Sequence, residues 1–174
     1  MTENGYAMPA EIITRIATTA DSDAIATIYN QGIEDRTATF ETTFRTGDGI
    51  RGWFDYSLPI VVAELGGNIV AFAGTFPYSS RKCYSGIVEF SVYVKREMRG
   101  KGAGKAVMKL LIEECRASGI WKLVSRVFIE NESSRSLLRS LGFREVGIYE
   151  KHGKLDGKWK DTVIVEYLIR ENLV

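Results

Sequence analysis

The sequence predicts an α/β or α+β sandwich around one mixed sheet. Three observations carry that expectation. Strand and helix patterns alternate through the middle of the chain, hairpin-like segments stand towards both ends, and 174 residues, 45% of them hydrophobic, suit one core. Residues 11–174 are read as a single domain behind a loose polar lead-in, residues 1–10.

The elements follow in order. "EIITRIA" (11–17) alternates apolar and polar residues as a half-buried strand does. Asp21 is placed to cap a helix whose Ala24, Ile25, Ile28, Tyr29 and Ile33 share one face. The Thr- and Gly-rich stretch 36–50 reads as a loop entering a short helix around Arg51 to Ser57, positioned to cover a pocket. "PIVVAEL" (59–65) and "IVAFAGTF" (69–76), joined through "GGN", are a hairpin signal. The loop "PYSSRKCYSG" leads to the strand "IVEFSVYV" (87–94), rich in β-branched and aromatic residues. Ala103, Ala106, Val107, Leu110, Leu111 and Cys115 mark the inner face of a helix, with Lys105, Lys109, Glu113 and Arg116 outward and Gly119 ending it. A strand (121–129), a short helix (131–141) closed by Gly142, a strand (143–151), a basic loop "HGKLDGKWKD" and a last strand (162–169) complete the chain.

Composition narrows the function. A formal net charge of +1 offers no global basic field, so neither nucleic acid nor a membrane surface is an expected partner, and any anion site must be local. Cys83 and Cys115 have no CxxC spacing, which points to a reducing compartment, the cytoplasm. The N-terminus has no signal-peptide pattern, and no apolar stretch reaches the roughly 18 residues of a membrane span. No His, Cys and carboxylate cluster has ligand spacing, so no metal is expected.

The most informative stretch is "VEFSVYVKREMRGKGAGKAVMKLLIEEC" (88–115), in which a strand passes through a glycine-rich basic loop into a helix. The first turn of a helix carries N–H groups without intrahelical partners at the positive end of its dipole. Glycines let an anion approach them, so a phosphate or pyrophosphate site is the functional reading, beside a plain solvated turn. A nucleotide-hydrolase phosphate loop ending on Gly104-Lys105 would need Gly where Arg99 stands and a hydroxyl where Ala106 stands. The dinucleotide fingerprint also fails, because Lys105 or Val107 fills the place of its small third residue.

Arg99, Gly102 and Gly104 fill the pattern Arg or Gln, two residues, Gly, one residue, Gly or Ala. This resembles the pyrophosphate loop of the GNAT N-acetyltransferases. "VEFSVYV" before the loop and "NESSRSLLRSLGF" (131–143) after it match the family's order, and the likeness covers most of residues 11–169. "IYNQGIEDRTATF", "RKCY" and "GKWKD" look like the phosphinothricin and methionine sulfoximine acetyltransferase branch. The resemblance implies a single mixed, mostly antiparallel sheet of about six to seven strands, flanked by about four helices, with a V-shaped cleft at the central strands. It also implies acetyl-CoA as co-substrate, a small amine as acceptor, and a homodimer.

Residue by residue, the resemblance assigns acetyl-CoA to Val92, Tyr93, Val94, Arg99, Gly100, Lys101, Gly102, Ala103, Gly104, Lys105, Asn131 and Ser134. The cofactor's pantetheine arm would add like an extra strand beside residues 92–94, next to a bulge that splays this strand. Asn131 is equally suited to capping the helix after it. Glu89, a carboxylate in an apolar strand, is the expected general base, acting directly or through water, with burial or a water relay needed for it to accept a proton near neutral pH; its plain alternative is an edge or solvent-facing strand residue. Phe40, Arg81, Lys82, Cys83, Tyr84 and Glu89 map onto the acceptor pocket, where arginine's planar fork suits an acidic head group. Relatives carry a Tyr or His where Leu138 stands, so either water or another hydroxyl, that of Tyr84 or Tyr93, protonates the thiolate, or it leaves without a general acid. Trp159 is read as a packing residue and His152, the only histidine, as a loop residue.

The function expected is acetyl transfer to the amino group of an amino-acid-like compound of the phosphinothricin, methionine sulfoximine or arsinothricin type. The alternatives are a GNAT enzyme for another amine, such as a protein N-terminus, lysine or polyamine, and a non-catalytic acyl-CoA sensor.

Overall fold

The computed structural model describes residues 11–173, so the lead-in expected at 1–10 lies outside the described residues. Seven strands form one sheet: β1 (Ile13–Ile16), β2 (Ile60–Leu65), β3 (Asn68–Pro77), β4 (Ile87–Val94), β5 (Lys122–Phe128), β6 (Arg144–Leu155) and β7 (Lys158–Leu168). Their order is β1-β2-β3-β4-β5-β7-β6, and only β4 and β5 run parallel. Four helices flank it: α1 (Ser22–Asp35), α2 (Gly47–Arg51), α3 (Ala103–Ala117) and α4 (Glu132–Ser140). The mixed, mostly antiparallel sheet and the helix number are those expected.

The central strands β2 and β3 are buried on both faces, which is why they read as unbroken apolar runs. Val61, Ala63, Ala71 and Ala73 belong to one cluster with Val107, Met108, Leu111 and Cys115 of α3. Ile60, Val62 and Phe72 belong to another with Ile25, Ile28, Tyr29 and Ile33 of α1. Each buried aliphatic side chain contributes roughly 1.5–3 kcal/mol by leaving water, so the sheet is clamped between α1 and α3.

The feature that positions the site is the behaviour of β4. It pairs with β3 in one unbroken register from Val88 to Val94, but with β5 only over Ile87–Glu89. Beyond Glu89 the parallel strands part and a V-shaped cleft opens. The bulge expected in this strand does not interrupt its register with β3; the cleft comes from β4 leaving β5.

Three local expectations are corrected. Residues 152–161 are not a loop: β6 runs to Leu155, β7 starts at Lys158, and Asp156-Gly157 joins them with φ of 48° and 77°. Both values lie in the left-handed region that a tight two-residue hairpin turn requires, and Asp-Gly is its usual pair. The short helix begins earlier than Arg51, at Gly47, because Thr46 Oγ1 accepts from the Gly49 N–H at 3.2 Å and caps it there; a 3-10 turn continues it over Gly52–Tyr56. Asp21 stands at the start of α1, but its carboxylate turns to the Arg15 guanidinium (2.8 Å) and the Thr18 N–H (2.7 Å) instead of capping α1. Arg15 holds that carboxyl below its usual range.

Candidate active site

The loop after β4 turns back through Gly100 and Gly102, with φ of 74° and 89°, which only glycine adopts without strain. The first intrahelical bond of α3 runs from the Ala106 N–H to the Gly102 carbonyl, so the amides of Ala103, Gly104 and Lys105 are left at the positive end of a 15-residue helix. A cleft of about 330 Å³ meets this end. Gly100, Gly102, Gly104 and Lys105 line it together with Val92, Tyr93 and Val94 on one side and Asn131 and Ser134 on the other. Arg99 also lines the cleft; its Nε donates to the Val94 carbonyl (3.2 Å) and Nη1 meets Asp35 at 2.6 Å. Burial works to raise the Asp35 carboxyl, but the hydrogen bond from Arg96 and the ion pair with Arg99 outweigh it and hold it below its ordinary range. The loop is thus braced against the last residue of α1. Ala103 is buried in the core, and Lys101, before it in the turn, does not line the cleft. Asn131 does cap α4, accepting from the Ser134 N–H at 3.1 Å, while its Nδ2 donates to the Thr37 carbonyl at 3.1 Å and ties α4 to the loop after α1.

A second cavity of about 550 Å³ is lined by Glu89, Tyr93, Arg126, Phe40, Trp53 and His152 among others. A small cavity of about 50 Å³ lies where β4 and β5 part. It shares Ser91, Ser125 and Arg126 with the large cavity, and Val92, Asn131 and Ser134 with the cleft. Tyr93 lines all three. Burial pushes its phenol far up, so it stays protonated and able to donate. Its ring stacks on Phe72 at 5.5 Å and meets Tyr29 at 4.9 Å.

Glu89 is the last β4 residue in the ladder with β5, opposite Val124, and it faces the large cavity. Its side chain is 36% exposed and is held by Arg126, whose Nη2 donates to Oε1 at 2.6 Å. The carboxylate is therefore paired with Arg126 and partly exposed, not buried. Phe40 lines the same cavity, 4.8 Å edge-to-face from Phe128. Arg81, Lys82, Cys83 and Tyr84 sit together at the 3-10 turn Lys82–Tyr84 between β3 and β4, and none of them lines the three cavities. The Arg81 guanidinium lies 5.5 Å over the Tyr84 ring, and Tyr84 packs edge-on against Tyr78. Leu138, 2% exposed, belongs to the core and lines the small cavity.

Trp53, Arg126 and His152 are among the lining residues that escaped the sequence reading. Trp53 lies in the 3-10 turn after α2. Arg126 alternates with Val124 and Phe128 in "VSRVF", so it shares their face, but its importance appears only once Glu89 is across from it. His152 is not a loop residue: it falls in a bulge of β6, where Glu150, Lys151 and His152 stand opposite Asp161 alone. The Lys151 N–H donates to Asp161 Oδ1 at 2.7 Å to close the bulge, a device that re-aims side chains. Trp159 is 55% exposed, under the Lys154 ammonium at 4.6 Å, so it is not packed in the core. Among the described residues no group of three or more potential ligands could hold a metal, and no helix is long and apolar enough to cross a membrane.

Residues 25–143 match the model of the "Acetyltransferase (GNAT) family". The chain is 32% identical over 157 residues to an L-methionine sulfoximine/L-methionine sulfone acetyltransferase of Pseudomonas aeruginosa, covering 87% of this chain and 91% of that protein. Among solved structures it resembles a phosphinothricin acetyltransferase from Sinorhizobium meliloti in complex with acetyl-CoA (TM-score 0.83, 31% identity, 92% of this chain and 89% of that one). It also resembles a ribosomal-protein-alanine N-acetyltransferase from Brucella melitensis (TM-score 0.86, 30% identity, 90% and 99%).

Proposed function

Because the chain belongs to the GNAT acetyltransferase family, we propose that it acetylates the amino group of a small amino-acid-like compound from acetyl-CoA, by direct transfer with Glu89 as proton acceptor. The observation that carries this reading is the meeting of two cavities at the point where β4 leaves β5, with Glu89 at the apex. The helix-end cleft fits the co-substrate: unpartnered amides and two glycines suit a pyrophosphate, and the free edge of β4 beyond Glu89 suits an amide-bearing arm. Acetyl-CoA supplies a thioester when bound.

The protein's own groups do the rest. Residues 100–105 hold the pyrophosphate, and backbone N–H groups of β4 stabilise charge on the thioester oxygen. Glu89, exposed enough to reach water, takes the ammonium proton of the acceptor. The amine nitrogen then bonds to the carbonyl carbon, the carbon–sulfur bond breaks, and the thiolate leaves. The proton that the nitrogen must still lose after the new bond forms passes to the thiolate through water, or through the Tyr93 hydroxyl giving one proton as it takes one, since Leu138 has none to give. Phosphinothricin and methionine sulfoximine, the compounds in the names of two relatives, support this substrate type, which accords with a detoxifying role.

The exposed Val146, Ile148, Tyr149 and Trp159 along the β6–β7 hairpin support a homodimer. The two free cysteines support a reducing, cytoplasmic setting. A protein N-terminus as acceptor is the second reading, favoured by the likeness to the ribosomal-protein enzyme.

The deciding assay is thiol release from acetyl-CoA with L-phosphinothricin and L-methionine sulfoximine. Saturable turnover is expected, falling at least ~100-fold in Glu89→Gln with acetyl-CoA affinity unchanged. No turnover with either amine, while acetyl-CoA still binds, would move the assignment to another amine or to a sensor.

A further inference from the structure

We propose that Arg126 anchors the acceptor's carboxylate, and that seating it there releases Glu89 for proton transfer. The inference rests on the N-acetyltransferase reading and names the group that selects its substrate. A zwitterionic amino acid must be recognised by its carboxylate as well as presented by its amine. Among the described residues, the cationic side chains lining the acceptor cavity are Arg45 and Arg126, with His152 beside them. Arg45 is held by Glu41 at 3.2 Å. Arg126 alone also lines the small cavity that leads to the cofactor cleft. Arg81 and Lys82, whose charges first suggested this role, line neither.

The geometry of Arg126 suits exchange of partners. It gives Glu89 a single hydrogen bond, from Nη2 to Oε1 at 2.6 Å, and its side chain remains 42% exposed towards the cavity. A guanidinium binds a carboxylate best through two parallel N–H bonds, so an arriving carboxylate competes well for the fork. One carboxylate then replaces another, and no buried charge is stranded. In an α-amino acid the amine is on the carbon next to the carboxylate, so anchoring at Arg126 sets the amine beside the freed Glu89. The aromatic walls, Phe40, Trp53, Phe76 and Phe128, are left for the side chain. An amine without a carboxylate finds Glu89 still engaged.

The test compares L-methionine sulfoximine with its carboxamide at saturating acetyl-CoA, in the wild type and in Arg126→Met. The wild type should favour the acid by ~10- to 100-fold in kcat/KM, mostly through KM, as charge-assisted bonds predict. In Arg126→Met the ratio should fall towards one, with acetyl-CoA affinity and the melting temperature retained. Both acceptors meet the same unpaired Glu89 in the variant, so the ratio isolates the anchor from any change at the base. A variant that keeps the wild-type ratio would overturn the proposal. If the wild type acetylates neither compound, the activity reading fails by itself. Calorimetric binding of acid and amide in the presence of coenzyme A then decides the anchor: preference for the acid that is lost in Arg126→Met upholds it, and equal binding overturns it.

Discussion

The ring of Phe40 occupies the space a side chain at Gly153 would need: a Cβ there would lie 2.7 Å from Phe40 Cε1. The loop after α1 and the strand β6 therefore meet at the wall of the large cavity, and glycine is what allows the approach.

Gly153→Ala should push the Phe40 ring against Phe128 or into the cavity. KM for the amine should rise several-fold, on the order of 1 kcal/mol for an overpacked contact, while acetyl-CoA affinity stays the same. Titrating each substrate separately distinguishes the two effects. An unchanged amine KM would show that Phe40 has room to swing away.

Asp35 braces the glycine loop through Arg96 and Arg99. Its carboxyl is held below the ordinary value of about 3.9, so the brace is present above that value and is lost only as pH falls through the lower folded value. It is complete at neutral pH. Asp35→Asn should mimic the acid state and weaken acetyl-CoA binding by roughly three- to tenfold, the scale of part-exposed pairs, measured by calorimetry at pH 7. An unaltered Kd would mean the loop keeps its shape without the carboxylate.

Leu138 stands where the resemblance leads one to expect a proton donor, yet it packs in the core. Leu138→Ala should cost about 2–5 kcal/mol of stability, a fall of roughly 5–15 °C in Tm for a chain of this size. Leu138→Met, which keeps the volume, should leave kcat within about twofold. A large loss of kcat in Leu138→Met with normal Tm would give this position a part in the chemistry.

Cys115 is buried in α3, where burial, with Glu114 adding to it, pushes its thiol up to about 12, whereas Cys83 is exposed. At pH 8 a disulfide reagent should titrate one thiol in the native protein and two in denaturant. Two fast thiols in the native state would mean that α3 opens readily.

Much of this protein was legible in one dimension because the governing forces are local. Alternation marked β1 and β4, and the 3.6-residue period marked α1 and α3, since side-chain direction repeats with the backbone itself. The glycine loop was legible for the same reason: Gly100 and Gly102 serve a turn a few residues long, feeding a helix end whose amides are free by construction. The closing hairpin was also written locally, in Asp156-Gly157, but the basic residues around it read as a loop because both faces of its strands are largely exposed.

The large cavity was decided only in three dimensions. Glu89 and Arg126 lie 37 residues apart and meet because β4 and β5 pair for three residues and then part. His152 reaches the cavity through a bulge whose existence depends on the register with β7. By itself the sequence determined most of the elements, the glycine-rich turn before α3 and the family. The tertiary structure alone decided which charges share a cavity and that "RKCY" stands apart from it, because a strand's neighbours are set by sheet register and by the collapse of two apolar faces, not by the residues beside it in the chain.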